Sequence, residues 1–241
     1  MATGHNAKAF DEELDTLRGT VCEMGGLAEQ AIIEAMEALV RGDLDAAALV
    51  VERDRRIDAL ETHIENAVVQ IIAFRSPTPG ELREVVAALK IAGVVERIGD
   101  YAKNIAKRVP SVEDTHIRPV SLLPEMARIA SEMVHNVLDA FAARDPEKAR
   151  RVRERDVAVD DFYNSIFRAL LTHMMENPHN ITPATHLLFV ARSLERVGDH
   201  ATNIAEMVYF AATGEHLGDR AKGADTTNIA ADEIGNDPYG R

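Results

Sequence analysis

Apolar residues recur at helical spacing along most of this 241-residue chain. Two stretches place an aliphatic residue at every seventh position: Val50, Ile57, Ile64 and Ile71 in the first, and Ile91, Ile98 and Ile105 in the second. Seven-residue spacing keeps an apolar stripe facing a neighbouring helix, so the pattern is typical of long packed helices. It predicts three long helices in the first half of the chain and three more in the second.

Turn and capping residues divide this pattern into segments. Four dipeptides mark the starts of helices: Gly42-Asp43, Thr78-Pro79, Asp145-Pro146 and Thr182-Pro183. Residues 110–120 lack periodicity and are predicted to form a linker, and residues 176–180 a break between helices. Gly25-Gly26, inside the first helical pattern, is interpreted as a kink or a close contact. Residues 215–241 have little apolar content, and we expect a mobile tail there.

The two halves of the chain repeat one another. Two pairs of segments align, at offsets of 99 and 102 respectively: residues 94–107 with 193–206, and 52–58 with 154–160. The first pair is identical at 8 of 14 positions, and the heptad positions correspond as well. The sequence therefore predicts an all-α fold, a tandem repeat of two three-helix bundles. The first bundle is expected over residues 8–109 and the second over residues 121–214.

The repeat preserves pairs of carboxylates that lie four residues apart. In the first half these pairs are Asp54 with Asp58 on the second helix and Glu96 with Asp100 on the third. In the second half they are Asp156 with Asp160 on the second helix and Glu195 with Asp199 on the third. Residues at i and i+4 share one helix face, and antiparallel neighbouring helices can present two such pairs to each other. Four clustered carboxylates are unfavourable unless a cation lies among them.

Two kinds of cation could fill each cluster. Arg97 and Arg196, which directly follow a motif glutamate, could form ion pairs with the carboxylates. A hard divalent or trivalent metal ion is the other candidate, because such ions prefer oxygen ligands. Two repeated features favour the metal. Gly99 and Gly198 lie inside helices and are expected to leave open space beside the carboxylates. Asn104 and Asn203 add a further oxygen donor on the same helix face. Glu61 and Glu65 extend the first stripe only, and are interpreted as a solvated acidic surface.

Composition and charge narrow the possible functions. The chain has 27 Lys+Arg against 40 Asp+Glu, a net charge of −13, which argues against binding to nucleic acid or to anionic lipid. Its one cysteine, Cys22, excludes an intrachain disulfide. No secretion signal is evident, and no apolar run approaches the ~20 residues of a membrane span. We therefore expect a cytoplasmic protein that meets a membrane only through a partner.

A carboxylate-bridged metal enzyme on a helical bundle is the alternative function. Di-iron bundles of that class carry a Glu-x-x-His motif on each of two helices. Glu132-x-x-His135 falls in a predicted helix, but Glu176-x-x-His179 spans a break, so the two do not form a symmetric pair. His200 follows a motif aspartate and is interpreted as a flanking residue. No motif for a nucleophile or for nucleotide binding occurs, and we predict that the protein is not an enzyme.

The segments ERIGDYAKNIAK and ERVGDHATNIAEMVYFAATGEH resemble the PhoU family, the accessory and regulatory proteins of the phosphate-specific transport system. The resemblance covers about residues 8–215 and includes the segments FDEELDTLRGTVCEMGGLAEQAI and PTPGELREVVAALKI. The chain departs from the family at two positions. The family often has an acidic residue at the position of Val94 and an aspartate at the position of Glu81. These departures affect only secondary ligands.

This resemblance implies two three-helix bundles with metal clusters on the paired carboxylate motifs. The implied ion is iron, zinc, manganese or magnesium, and its implied ligands are Asp54, Asp58, Glu96, Asp100, Asp156, Asp160, Glu195 and Asp199. The resemblance also implies a homodimer that negatively regulates the phosphate-starvation response. In that role the family connects the ATPase subunit of the phosphate transporter to a membrane sensor histidine kinase.

Overall fold

The computed structural model describes the backbone of residues 2–112 and 121–218, and the side chains of residues 10–112 and 121–218. These residues form six helices: α1 (Ala2–Arg41), α2 (Leu44–Arg75), α3 (Pro79–Ala106), α4 (Leu123–Ala143), α5 (Pro146–Glu176) and α6 (Ile181–Thr213). The described residues contain no β-strand, so the predicted all-α fold is confirmed. Residues 113–120 of the predicted linker and 219–241 of the predicted tail lie outside the described residues.

Local capping interactions explain where several helices begin. Gly42 adopts φ 65° after the last residue of α1, a left-handed conformation that favours glycine. The Asp43 carboxylate then accepts a hydrogen bond from the Ala46 amide at 2.9 Å, which caps α2. The Asp145 carboxylate caps α5 in the same way through the Lys148 amide, also at 2.9 Å. These three predicted boundaries are therefore confirmed.

The predicted start of the last helix at Thr182-Pro183 is wrong by two residues. A short 3-10 helix, Pro178–Asn180, leads directly into α6, which begins at Ile181. Pro183 is thus the third residue of α6 rather than its first. A proline is tolerated there, because the amides of the first helical turn have no intrahelical partner.

Four inner helices pack together, and one further helix lies on each outer side. Helices α1 and α6 each contact both α3 and α4, while α2 packs on α1 and α3, and α5 packs on α4 and α6. Among the described residues, no helix has the length and apolar content required to span a membrane. The predicted apolar seam is confirmed, because each of its central residues is at most 2% exposed, namely Ile57, Ile64, Ile91, Ile98 and Ile105.

The two repeats meet face to face along antiparallel helices. Tyr101 of α3 stacks on His200 of α6, with ring centroids 5.5 Å apart. Further along α3, Arg108 Nη1 lies 3.2 Å from Nδ1 of His186, near the start of α6. The two helices therefore run in opposite directions. The predicted carboxylate motifs lie on two helix pairs, each made of one outer and one inner helix: α2 with α3, and α5 with α6.

The glycine pair in α1 marks a close contact between the repeats. A Cβ atom at Gly25 would collide with Cδ1 of Leu138 on α4 and would lie 2.8 Å from Cδ2. A Cβ atom at Gly26 would meet nothing within 4 Å. Of the two interpretations offered for this pair, the structure supports the close contact, and only Gly25 makes it.

We expect Gly25→Ala to destabilise the protein and Gly26→Ala to stabilise it. Overpacking against buried Leu138 costs about 1–3 kcal/mol, which exceeds the ~1 kcal/mol gained when alanine replaces glycine in a helix. Gly26→Ala should show that gain alone, because its site is exposed. Urea unfolding monitored by circular dichroism measures both changes, and two variants of equal stability would contradict the contact.

Candidate metal-binding faces

The eight predicted ligands lie on two helix pairs, one in each repeat. The first acidic face consists of Asp54 and Asp58 on α2 and Glu96 and Asp100 on α3. The second acidic face consists of Asp156 and Asp160 on α5 and Glu195 and Asp199 on α6. The helices of each pair pack directly on each other, so each face gathers its four carboxylates from two adjoining helices.

One aspartate of each face is buried against a glycine of the facing helix. Asp54 is 6% exposed and Asp156 is 1% exposed. A Cβ atom at Gly99 would lie 3.4 Å from Asp54 Oδ1. A Cβ atom at Gly198 would lie 2.7 Å from Asp156 Oδ1. The expectation that these glycines leave open space is therefore wrong: the missing Cβ lets the two helices approach, and the space is filled by Ile57 with Asp54 at Gly99 and by Asp156 at Gly198.

The first acidic face already contains a cation. Lys103 Nζ on α3 donates to Asp54 Oδ2 at 2.5 Å and to Asp100 Oδ1 at 3.0 Å, so its ammonium joins the two helices. These hydrogen bonds raise the pKa of Lys103 above its ordinary value. Lys103 is not among the predicted site residues. Its position three residues after Asp100, which places it on the same helix face, was the available signal.

The second acidic face has a different internal cation, at its edge. Arg192 Nη1 donates to Glu195 Oε1 at 2.6 Å within α6. Glu195 is only 13% exposed, and its other oxygen, Oε2, is buried without a hydrogen-bond partner. Burial raises the pKa of Glu195 to about 7, and the charges of Asp199 and Asp160 act in the same direction. Arg192 and Arg196 lower the pKa of this carboxyl, but the effect of burial outweighs theirs.

A carboxyl with a raised pKa also lies on the first acidic face. Burial raises the pKa of Glu96, and Asp100, Glu61, Asp58 and Asp54 raise it further. Glu61 is half-buried and its pKa is raised by burial, whereas Glu65 is exposed. The interpretation of this extension as a solvated surface is thus right for Glu65 and wrong for Glu61. Glu61 reaches the first acidic face because α2 and α3 cross closely at Gly93, where a Cβ atom would lie 3.4 Å from Glu61 Oε1.

The motif arginines act on the carboxylate faces only from a distance: Arg196 lowers the pKa of Glu195, but neither arginine has a described ion pair with a motif carboxylate. Tyr101 of the other repeat is the largest influence that raises the pKa of Arg196, and Glu195 and Asp199 raise it further. Arg97 is exposed and forms no ion pair with any residue that the structure describes. Burial lowers the pKa of His200, whose buried Nδ1 has no hydrogen-bond partner. The ion pairs described for the motif carboxylates come instead from Lys103 and Arg192.

The donors of the second acidic face suit a hard metal ion. They are carboxylate oxygens, and the buried Glu195 Oε2 lacks a partner that a cation would supply. Within the described ranges, no three Asp, Glu, His or Cys side chains converge closely enough to hold an ion. The exposed Asp199 and the half-buried Asp160 would therefore have to turn towards Glu195 to enclose one. Asn104 and Asn203, the predicted additional donors, are both exposed.

The residues of the enzyme alternative lie apart from these faces. His135 Nδ1 is 3.2 Å from Glu29, and Glu132 forms ion pairs with Arg128 and Arg155. Glu132 and His135 line a groove of about 560 Å³ between α1 and α4. The second Glu-x-x-His motif lies across the end of α5. The two motifs therefore do not assemble a shared metal site with either acidic face.

Two three-helix repeats, each with an acidic face on its second and third helices, define a tandem helical-repeat protein. The PhoU domain profile matches residues 21–109 and 123–208, one match in each repeat. The chain belongs to the PhoU family.

Relatives and solved structures align over most of the chain. A phosphate-specific transport system accessory protein PhoU homolog of Zymomonas mobilis is 55% identical over 92% of this chain and 94% of its own. One from Rhizobium meliloti is 46% identical over 96% and 99% of the two chains. The crystal structure of PhoU from Pseudomonas aeruginosa superposes with a TM-score of 0.82 at 36% identity, covering 86% of this chain and 100% of that one.

Proposed function

We propose that this chain regulates phosphate uptake as an accessory protein of a phosphate-specific transport system. Support comes from one observation above all: both repeats match the PhoU domain, and relatives named for phosphate transport align over nearly their whole length. In this proposal the chain acts in the cytoplasm as a homodimer and is a negative regulator of the phosphate-starvation response. Its partners are the ATPase subunit of the phosphate transporter and a sensor histidine kinase.

Metal ions on the acidic faces are a further part of this proposal. The eight carboxylates would hold iron, zinc, manganese or magnesium, and a bound ion would supply the positive charge that the clustered carboxylates lack. Glu195, whose buried Oε2 lacks a hydrogen-bond partner, supports this assignment for the second acidic face. On this face the buried Asp156 and the exposed Asp199 would hold the ion.

Phosphate uptake in cells that lack the chain tests the proposed role. Cells of the source organism with the gene deleted should take up labelled phosphate at a high initial rate even in phosphate-rich medium. Kinase phosphorylation should also persist there, and a plasmid copy of the wild-type gene should restore control. Deletion cells that lower their uptake in phosphate-rich medium as wild-type cells do would refute the proposal. Capture of the tagged chain from phosphate-rich and phosphate-starved cells then identifies its partners, and light scattering its oligomeric state.

We expect the double variant Asp100→Ala with Asp199→Ala to lose bound metal while remaining folded. Asp100 is 47% exposed and Asp199 is exposed, so little packing is lost. Elemental analysis measures the metal and circular dichroism the fold. A matched control, Glu52→Ala with Glu154→Ala, removes two exposed carboxylates from equivalent positions of α2 and α5. Full metal retention in the folded Asp100/Asp199 variant would refute the assignment of these ligands.

A further inference from the structure

An apolar groove, the α1–α4 groove, lies between the first helix of each repeat. Its volume is about 560 Å³, and all of its lining residues fall within the described ranges. The groove runs from Glu29 to Arg41 along α1, which at about 1.5 Å per residue is a length of about 18 Å. Neither α1 nor α4 carries a motif carboxylate, so the groove is separate from both acidic faces.

The groove presents an apolar seam that no described helix covers. Ile33 and Val40 of α1 are seven residues apart and are 45% and 52% exposed, although both are aliphatic. Met36 lies between them at the remaining heptad position and is buried at the floor of the groove. On the opposite wall, α4 contributes the small side chains of Ala127 and Ser131. A heptad seam beside small residues is an arrangement that receives the side chains of a further helix.

Charge on the rim favours one kind of helix. Three glutamates and two arginines line the groove, namely Glu29, Glu37 and Glu132 against Arg41 and Arg128. Each arginine already has a carboxylate partner, because Arg41 pairs with Glu37 at 3.5 Å and Arg128 pairs with Glu132. With histidine counted as neutral, the rim is acidic, and the chain as a whole has a net charge of −13. Such a surface attracts a basic partner and repels a second copy of this chain.

We propose that the α1–α4 groove binds an amphipathic helix of a partner protein, with an apolar stripe against Ile33 and Val40 and with lysine or arginine residues beside that stripe. A helix of about three turns fills the length of the groove, and apolar residues at i, i+3 or i+4 and i+7 match its heptad seam. This inference rests on the proposed function in one respect, since the partner is a protein through which the chain regulates phosphate uptake. Both acidic faces stay open when the groove is filled.

Titration of a fluorescein-labelled peptide with the full chain tests this inference. The peptide has about 14 residues, with leucines spaced alternately three and four apart and lysines on both sides of the leucine stripe. A matched peptide carries glutamate in place of each lysine. Fluorescence anisotropy should show that the lysine peptide binds to one site, and that the glutamate peptide binds more weakly by about tenfold or more.

Ile33→Asp with Val40→Asp separates docking in the groove from general attraction to an acidic protein. The added aspartates would strengthen electrostatic adsorption of the lysine peptide, whereas docking of its apolar stripe should weaken by about tenfold or more. Val69→Asp is the matched control and should bind as the wild type does, because Val69 is 65% exposed on α2 and lies outside the groove. Ile33→Ser with Val40→Ser repeats the comparison without added charge if circular dichroism shows that the aspartate variant fails to fold.

Unchanged affinity of the lysine peptide for a folded groove variant would overturn the inference. Equal affinities for the two peptides, or no binding of the lysine peptide to the wild type, would also overturn it. A wild-type dimer that both groove variants convert to monomers in light scattering would show that a second copy covers the groove, which contradicts the proposed occupant. The phosphate uptake of deletion cells does not depend on any of these outcomes, so it decides the proposed function separately.

Discussion

Glu195→Gln should stabilise the metal-free chain at pH 8 by up to about 3 kcal/mol, since each pKa unit corresponds to 1.36 kcal/mol. Burial holds the pKa of this carboxyl at about 7, against an ordinary value of 4.5. Folding therefore favours its protonated form. The resulting stabilisation is complete below pH 4.5 and is lost as the pH rises through about 7. Glutamine resembles the protonated acid and avoids this loss.

Urea unfolding from pH 4.5 to pH 8 in the presence of a chelator measures this effect. The difference between the variant and the wild type should be small at pH 4.5 and should grow towards pH 8. Glu52→Gln is the control, because Glu52 is an exposed glutamate on α2 that forms no ion pair within the described ranges. A difference that does not change with pH would show that Glu195 is not a titrating carboxyl whose pKa is raised by burial.

Glu84→Ala should destabilise the protein by about 2–3 kcal/mol, because hydrogen bonds to charged groups contribute about 1.5–3 kcal/mol and their loss leaves an arginine unpaired. Glu84 Oε1 accepts from Arg18 Nη2 of α1 at 2.6 Å. Its Oε2 lies 2.8 Å from Arg144 Nη2, in the turn between α4 and α5. Glu84 and Arg18 are only 15% and 14% exposed, so water cannot fully replace the lost partner.

A second partner of the same arginine provides the control for Glu84. Asp15 contacts Arg18 Nη1 at 3.0 Å but is 71% exposed. Asp15→Ala should therefore change stability by no more than about 0.5 kcal/mol, as exposed ion pairs usually do. Equal losses in the two variants, measured by thermal or urea unfolding, would contradict the view that the ion pair between Glu84 and Arg18 is shielded from water.

The helices, their order and their repetition could be predicted from the sequence because the signals are local. Heptad spacing, the Asp43 and Asp145 caps and the left-handed Gly42 depend on residues within a few positions of one another. The internal repeat then revealed which polar residues recur, and this identified the carboxylate pairs. The helix start at Thr182-Pro183 was misplaced, because a short 3-10 helix, Pro178–Asn180, leads directly into α6 and no break separates the two.

The cation that pairs with the motif carboxylates could not be predicted, because it depends on contacts between distant parts of the chain. Lys103 is 49 residues from Asp54 in sequence, and no local rule connects them. The sequence suggested arginines as the internal cations beside the motif glutamates, yet the described ion pairs of the motif carboxylates come from Lys103 and Arg192. A side chain's partner is set by the direction in which its helix face points, and that direction is known only once the helices have packed.

The sequence by itself thus determined an all-α tandem repeat and the eight carboxylates of its two motif pairs, because helical periodicity and repetition are written in neighbouring residues. Only the tertiary structure decided that Asp54 and Asp156 are buried against glycines, that Lys103 fills the first acidic face, and that Glu195 Oε2 is buried without a hydrogen-bond partner on the second. The physical reason is that burial and charge pairing depend on interhelical distance and orientation. These follow from the packing of the whole chain rather than from any one segment.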